Sequence, residues 1–224
     1  MLKSLIITID GPAGAGKTTV SRCLAERLGF RYVDTGALYR GIAWKAVDEN
    51  IDAEDTRTVK QLLDGLRIEG IWAADGQMQI LIDGRDVTAQ LRTPQISMLA
   101  SRLSALPAVR RYLLDLQRRL AGTGGCVFEG RDMGTVVFPH AAIKIFLDAS
   151  LDKRSQRRYQ ESGSVGGQSP EEVKRDIQRR DTSDSTRQLA PLKRADDAVY
   201  IDTTDLDIDQ VLEIIMTVVG GNRG

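Results

Sequence analysis

The sequence predicts an α/β fold in which a parallel β-sheet is covered by helices on both faces, and three observations carry that prediction. Short apolar runs rich in β-branched residues alternate with stretches of helical period along the chain. The segment ITIDGPAGAGKTTV, Ile7 to Val20, sets the phosphate-cradling pattern G-x-x-x-x-G-K-[ST] between one such run and one such stretch. Finally, 224 residues with 42% hydrophobic content can bury a full core in one main domain and leave room for an insertion.

Taken in order, Leu5, Ile6, Ile7 and Ile9 read as a buried parallel strand near 4–10. A helix follows over 16–28, with Val20, Leu24 and Leu28 at helical spacing and Gly29 closing it. A short strand is expected near 31–33, a helix from about 36, and further strands at 125–129, 143–147 and 198–201 between helical stretches. Between about 64 and 106 the pattern changes: Arg67 to Ala73 and Gln77 to Asp83 read as two strands joined at Ala74-Asp75-Gly76, followed by a helix from Pro94. A hairpin does not belong in a doubly wound core, so this region reads as an inserted subdomain at one edge of the cleft, with a plain surface elaboration as the alternative. SGSVGGQS, 162–169, lies between two arginine-bearing helices and reads as the tip of a mobile lid. No internal repeat is present.

Lys+Arg and Asp+Glu both total 31, so no global field recruits nucleic acid or membrane, and any basic site must be a local cluster. Cys23 and Cys126 stand far apart without C-x-x-C spacing, which favours buried reduced thiols over a disulfide or metal pair and points to a reducing compartment. A few apolar residues lead straight into the glycine loop, with no signal-peptide core and no bilayer-long span, so a cytoplasmic protein is expected. His140, the only histidine, follows Pro139 on an expected surface loop, and neither a Ser-His-Asp nor a zinc site is expected.

The chemistry starts at the loop. Its glycines let successive backbone N–H groups turn toward one anion, and the following helix N-terminus adds partial positive charge. Lys17 can then reach β- and γ-phosphates and Thr18 can ligate Mg²⁺, so Gly11, Pro12, Ala13, Gly14, Ala15, Gly16, Lys17, Thr18 and Thr19 form the expected ATP site. Three later stretches bear on the acceptor. VDTGALYR, Val33 to Arg40, leaves a strand end where such sheets bind ligands; Asp34 and Thr35 can cap the helix, while Tyr39 and Arg40 add an aromatic and a cation one turn on. FEGRDMGT, Phe128 to Thr135, exposes an Arg-Asp pair on a loop after another strand, either as ligand groups or as a surface salt bridge. RRDTSDSTRQLAPL, Arg179 to Leu192, and RSQRRY, 154–159, supply clustered arginines suited to phosphate. A solvated basic face explains Arg154 or Arg158 but explains Arg180, Asp184 and Arg187 poorly.

GPAGAGKTT, DTGALYR, EGRDMGTVVFP, IFLDASLDKRSQRRY and RRDTSDSTRQLAPL, in that order, resemble the bacterial cytidylate kinase family from about residue 5 to the end. The inserted segment before LPAVRRYLL is similar to the enlarged nucleoside-monophosphate (NMP) region that sets this family apart from adenylate-type kinases. The resemblance implies a P-loop NTPase fold in a single kinase domain over 1–224. Its core would span about 1–35, 107–150 and 171–224, its NMP-binding region with the insert about 36–106, and a short lid about 151–170.

It implies further that ATP and Mg²⁺ serve phosphorylation of CMP or dCMP by a cytoplasmic enzyme of pyrimidine nucleotide metabolism, expected as a monomer without nucleic-acid or membrane partners. Arg40, Arg131 and Arg187 would hold the acceptor phosphate, Asp184 with Arg180 the ribose hydroxyls, and Ser101, Arg110 and Asp132 the cytosine ring. Thr35 and Tyr39 would complete that pocket; at Thr35, where family members often carry serine, the hydroxyl is kept and a methyl added. Arg154, Arg157 and Arg158 match lid arginines that close over the donor, and Lys17 with Arg131 and Arg187 would form the catalytic set. The alternatives are a P-loop kinase for UMP or for a small hydroxyl compound such as shikimate, with Asp34 as base, and a guanine-nucleotide switch. The switch would need an Asn-Lys-x-Asp segment, and no Asn-Lys pair occurs.

Overall fold

The computed structural model describes residues 5–73, 76–122, 124–162 and 168–221. In chain order, β1 (Ile6–Asp10) leads through the glycine loop into α1 (Lys17–Leu28), then β2 (Arg31–Asp34), α2 (Thr35–Asp48) and α3 (Thr56–Gly65). A second group follows: β3 (Ile68–Trp72), β4 (Met78–Ile82), β5 (Arg85–Asp86), a 3₁₀ turn at Thr88–Gln90, and α4 (Pro94–Leu103). The chain then returns through α5 (Pro107–Ala121), β6 (Cys126–Glu129), a π-helical turn at Met133–Val137, β7 (Ile143–Asp148), α6 (Leu151–Ser162), α7 (Pro170–Thr186), β8 (Val199–Asp202) and α8 (Ile208–Gly221).

Five strands form one parallel sheet in the order β2-β6-β1-β7-β8, with β1 in the middle. Thr8 sits in register with Phe128 on one side and Lys144 on the other. Because both faces are covered, the strands are almost continuously apolar and alternate between two cores. Ile7, Ile9, Val127 and Ile145 point to α1 and α8, meeting Val20, Leu24, Leu212 and Ile215. Cys126, Phe128 and Val33 point the other way, into a cluster with Leu38 and Ile42 of α2 and Val109 and Leu113 of α5. Both cysteines are free, Cys126 buried and Cys23 half-buried.

The second sheet is antiparallel, in the order β3-β4-β5, with Gly70 opposite Ile80. The sequence reading stops at Asp83 and misses β5. The unread signal is Asp83-Gly84, both at positive φ (50° and 82°), the two-residue turn that matches strand twist. Ala74 and Asp75 of the other connection lie outside the described residues. The hairpin is not an isolated flap: Ile68, Ile80 and Ile82 enter the α2/α5 core, and the Trp72 indole N–H donates to the Tyr32 carbonyl at 3.0 Å. The expected lid tip, 162–169, falls mainly on residues 163–167, which lie outside the described residues; beside it Ser169 caps α7 in a reciprocal capping box with Glu172. His140 is exposed on the turn after Pro139.

Candidate active site

Each of the five parallel strands ends in an acid: Asp10, Asp34, Glu129, Asp148 and Asp202. Three of them, Asp10, Asp34 and Glu129, are buried beneath the glycine loop and its neighbours, where parallel sheets place their ligands. The loop needs its glycines at defined points. A Cβ on Gly11 (φ 146°) would run into the Leu147 carbonyl, and one on Gly14 (φ 76°) would lie 2.7 Å from the Arg154 carbonyl. Gly16, left-handed at φ 86°, opens α1 with no side-chain cap, which leaves the helix's first N–H groups available to an anion.

Lys17 is buried, its ammonium donating to the Pro12 carbonyl at 2.5 Å. Burial, together with the like charges of Arg131 and Arg180, pushes it well below its ordinary pKa, against the pull of Glu129 and Asp10. The next residue, Thr18, donates its hydroxyl to Glu129 Oε1 at 2.9 Å. Glu129 also receives the Thr35 hydroxyl on its backbone carbonyl at 2.7 Å, so one residue touches both the donor loop and the start of α2. Burial, and then the neighbouring Asp34 charge, raises its carboxyl to about 7, and its Oε2 is buried without a hydrogen-bond partner.

Asp34 caps α2, as its sequence position allows, and also pairs with Arg40. Its Oδ1 accepts from the Ala37 N–H at 3.0 Å as the N-cap of α2, and its Oδ2 accepts from Arg40 at 2.7 Å. Its partner Arg40 keeps a buried Nε without an acceptor. Burial opposes ionisation of Asp34, but Arg40 and the Ala37 N–H hold its carboxyl below the usual range.

The Arg-Asp pair of FEGRDMGT is not the exposed loop pair that the sequence suggests. Asp132 is buried at 3% exposure, because Met133 to Val137 coil into the π-helical turn and fold it under α5. The two residues do not pair with each other. Arg110 Nη1 donates to Asp132 Oδ2 at 2.9 Å, and Arg187 Nη2 stands 3.6 Å from Oδ1. Arg131 Nε instead donates to Asp184 Oδ2 at 2.9 Å, and Arg187 Nη1 reaches Asp184 Oδ1 at 3.4 Å. Arg180 stands farther off, 4.0 Å from Asp184. Burial would raise Asp184, but Arg131, Arg180 and Arg187 outweigh it and hold the carboxyl down. Conversely, burial and then Arg131 bring Arg180 down to about 10. Buried Arg180 Nε and Arg187 Nη2 have no hydrogen-bond acceptor among the described residues. Donors left unmatched inside a ring of cations are what a phosphate or sugar would satisfy.

Other expected residues fall at the edge of this ring. The Tyr39 ring lies under the Arg110 guanidinium at 5.7 Å, and burial takes its phenol up to about 12. Ser101, half-buried on α4, accepts the Ser104 hydroxyl on its carbonyl at 2.7 Å; Ser104 in turn faces Arg110 and Arg187. The three arginines of α6 are unequal. Arg154 is buried, bonded to Asp181 and, at 3.1 Å, to the Ala13 carbonyl of the loop, while Asp181 receives the Ala13 N–H at 3.1 Å. Arg157 clasps Thr203 twice, at 2.9 and 2.6 Å, and Thr203 reaches the Ala15 carbonyl at 3.3 Å. Arg158 is half-exposed, 3.4 Å from Glu161.

Two residues of the site escape the sequence reading. Glu129 stands inside FEGRDMGT, and Asp10 directly before Gly11, each an acid at the end of a buried strand, which is the signal that could have found them. Asp10 accepts the Met133 N–H at 2.9 Å and the Gly134 N–H at 2.7 Å, tying β1 to the turn that carries Asp132. Among the described residues no group of three or more His, Cys, Asp or Glu side chains could hold a metal alone.

A sheet ordered in this way, with a glycine loop at its central strand and an arginine ring facing it, defines a P-loop phosphotransferase. The family described as cytidylate kinase matches residues 7–220. Cytidylate kinase of Carboxydothermus hydrogenoformans is 47% identical over 215 residues, covering 96% of both chains, and that of Pseudomonas fluorescens strain Pf0-1 is 48% identical over 214 residues, covering 95% and 93%. Among solved structures, an uncharacterized protein from Eubacterium ventriosum shares the fold, at TM-score 0.52 and 14% identity over 98% of this chain and 99% of that one. The chain belongs to the cytidylate kinase family and is a nucleoside monophosphate kinase.

Proposed function

We propose that the chain transfers the γ-phosphoryl group of ATP to CMP or dCMP by direct attack of the acceptor phosphate, giving ADP and CDP or dCDP. The observation that carries this reading is the convergence of Lys17, from the donor loop, with Arg131 and Arg180, from the acceptor ring, closely enough that, beyond burial, both arginine charges disfavour the protonated form of Lys17. Three cations so placed repel unless a polyanion lies among them, and a phosphoryl group in flight between two phosphates is such a polyanion. An acceptor phosphate is already anionic, so no general base is required; positioning and charge neutralisation supply the catalysis.

In this reading the loop from Gly11 to Thr19 holds the ATP phosphates, and Arg157 and Arg158 close over the donor. Arg154 acts from beneath, through Ala13. Arg40, Arg131 and Arg187 hold the acceptor phosphate, Arg180 and Asp184 the ribose with Thr35 nearby, and Ser101, Arg110, Asp132 and Tyr39 the base. The Thr18 hydroxyl and the unpartnered Oε2 of Glu129 are hard oxygen ligands suited to Mg²⁺ or its bound waters, and the ion would neutralise phosphate charge when bound. The NMP-binding region is placed at about 36–106 and the lid at about 151–170, on a core of about 1–35, 107–150 and 171–224. The enzyme is taken to work as a cytoplasmic monomer in pyrimidine nucleotide metabolism; no helix among the described residues is long and apolar enough to cross a membrane.

A kinase for a neutral alcohol would need Asp34 as base, yet the pull of Arg40 and the Ala37 N–H keeps that carboxylate a weak one. A coupled assay with ATP, Mg²⁺ and each of CMP, dCMP, UMP, AMP and GMP tests the proposal. Turnover is expected on CMP and dCMP above the rest; turnover on a sugar or shikimate-like alcohol and on no monophosphate would overturn it.

A further inference from the structure

We propose that Arg92, supplied by the inserted segment between β5 and α4, is a further ligand of the acceptor's phosphate; this rests on the acceptor site assigned above. Arg92 Nη2 stands 3.9 Å from Asp34 Oδ2, the same oxygen that Arg40 Nη2 binds at 2.7 Å. That distance is an ion-pair separation and not a hydrogen bond. Asp34 has little to offer a second guanidinium, since its Oδ1 is taken by the Ala37 N–H and its Oδ2 by Arg40.

Arg92 therefore differs from the arginines of the acceptor site that are held by an acid, and it differs by its exposure from Arg180, whose buried Nε also lacks a close partner. Arg40 has Asp34, Arg110 has Asp132 and Arg131 has Asp184, each at 2.7–2.9 Å, and Arg187 has Asp184 at 3.4 Å. Arg92 has no hydrogen-bond acceptor among the described residues, and its side chain is 66% exposed. Its charge nevertheless acts on the site floor, helping Arg40 keep Asp34 ionised. A free guanidinium fork within reach of the carboxylate that orients Arg40 can swing onto the anion that Arg40 holds. A phosphate monoester has oxygens enough for both. Binding it would draw the insert's α4, with Ser101 on it, toward β2, so that phosphate capture and base recognition are linked through one short segment.

The test compares binding of CMP with binding of cytidine by calorimetry in the wild type, Arg92→Gln and Arg92→Lys, with thermal unfolding as the control for folding. Arg92 is exposed and its one ion-pair separation, 3.9 Å, is long, so both variants are expected to melt close to the wild type. Losing one charge-assisted contact should weaken CMP by roughly tenfold or more and leave cytidine unchanged. Arg92→Lys should recover part of the loss, because the charge returns without the fork. Equal weakening of CMP and cytidine, or no change in CMP, would overturn the assignment. The wild-type measurement separates this from the underlying reading: if CMP binds no more tightly than cytidine there, the acceptor-phosphate site itself is wrong.

Discussion

In the proposed reaction the donor loop and the acceptor ring would both gather phosphate groups, but they are made of different materials. Residues 11–19 are contiguous, and their only charged side chain is Lys17; the rest of the loop has mainly backbone N–H groups to offer, on a path bent by positive φ at Gly11, Gly14 and Gly16. The ring is assembled from Arg40 on α2, Arg110 on α5, Arg131 after β6, Arg180 within α7 and Arg187 at its C-terminal end, with Asp34, Asp132 and Asp184 as counter-charges. A backbone cradle accepts any polyphosphate of the right shape. A ring of paired charges can discriminate, because the acids fix the arginines in place while buried donors such as Arg40 Nε, Arg180 Nε and Arg187 Nη2 are left for a ligand. In that reaction the loop would supply the cation that follows the transferred group, Arg131 and Arg187 would share in the chemistry, and selectivity would come from the ring alone.

The largest expected effect tests the chemical half. Lys17 can follow the moving γ-phosphoryl group, so Lys17→Ala should lower kcat by roughly 10²–10³, as loss of one preorganised charge partner does elsewhere. Steady-state kinetics on ATP and CMP would show it. A variant with near-normal kcat would break the assignment of chemistry to the loop.

A smaller effect is expected from Asp132→Asn, and it should appear in selectivity. Cytosine offers acceptors at O2 and N3 and a donor at its 4-amino group, which suit Arg110 and the Asp132 carboxylate; uracil reverses the last two. Asp132 Oδ2 is occupied by Arg110, but Oδ1 faces Arg187 only at 3.6 Å and keeps room for a donor. Wild type should therefore favour CMP over UMP by roughly 10² in kcat/KM, since a buried unmatched group costs about 1–3 kcal/mol and more when charged. The variant should erode that ratio, because its amide can donate to the 4-oxo group. Equal losses on CMP and UMP would make Asp132 a structural partner of Arg110 alone.

The same contrast explains what could be read in the sequence. The strand, loop and α1 are legible because local rules decide them: a β-branched run, glycines at fixed offsets, a helical period ending at Gly29. The hairpin is legible for the same reason, and β5 was within reach at Asp83-Gly84. The residues that the structure brings together around Asp132 and Asp184 are named by the motifs, but their pairings are not. Arg131 and Asp132 are neighbours in sequence, yet each takes a partner from another element, Asp184 and Arg110, because the π-helical turn buries one side chain while the other faces α7. Such choices depend on how α5 and α7 pack on the sheet, which no local pattern encodes. Asp10 and Glu129 were overlooked because a buried strand end leads one to expect an apolar residue.

Asp10 offers the smallest effect on rate and the sharpest probe of where the two halves join. Burial raises its carboxyl from 3.8 to about 6, the Gly134 and Met133 N–H groups pull it down, Asp132 pushes it up and Lys17 pulls it down again. A carboxyl whose folded pKa lies above its unfolded one binds more protons in the native state, so its contribution to stability is fully present below about pH 4 and is lost as pH rises through about 6. Asp10→Asn removes that titration while keeping a carbonyl for one of the two N–H groups. The stability advantage of wild type over the variant should thus be greatest near pH 4 and shrink up to pH 6, as measured by denaturant unfolding across that range. Loss of one neutral hydrogen bond is worth about 0.5–1.5 kcal/mol, so kcat should fall less than about tenfold, with a larger share of the damage in KM for CMP than in KM for ATP. A pH-independent stability difference would show that Asp10 ionises normally in the folded protein. Equal damage to both KM values would mean that it supports the donor loop as much as the turn bearing Asp132, and that the two halves are one mechanical unit.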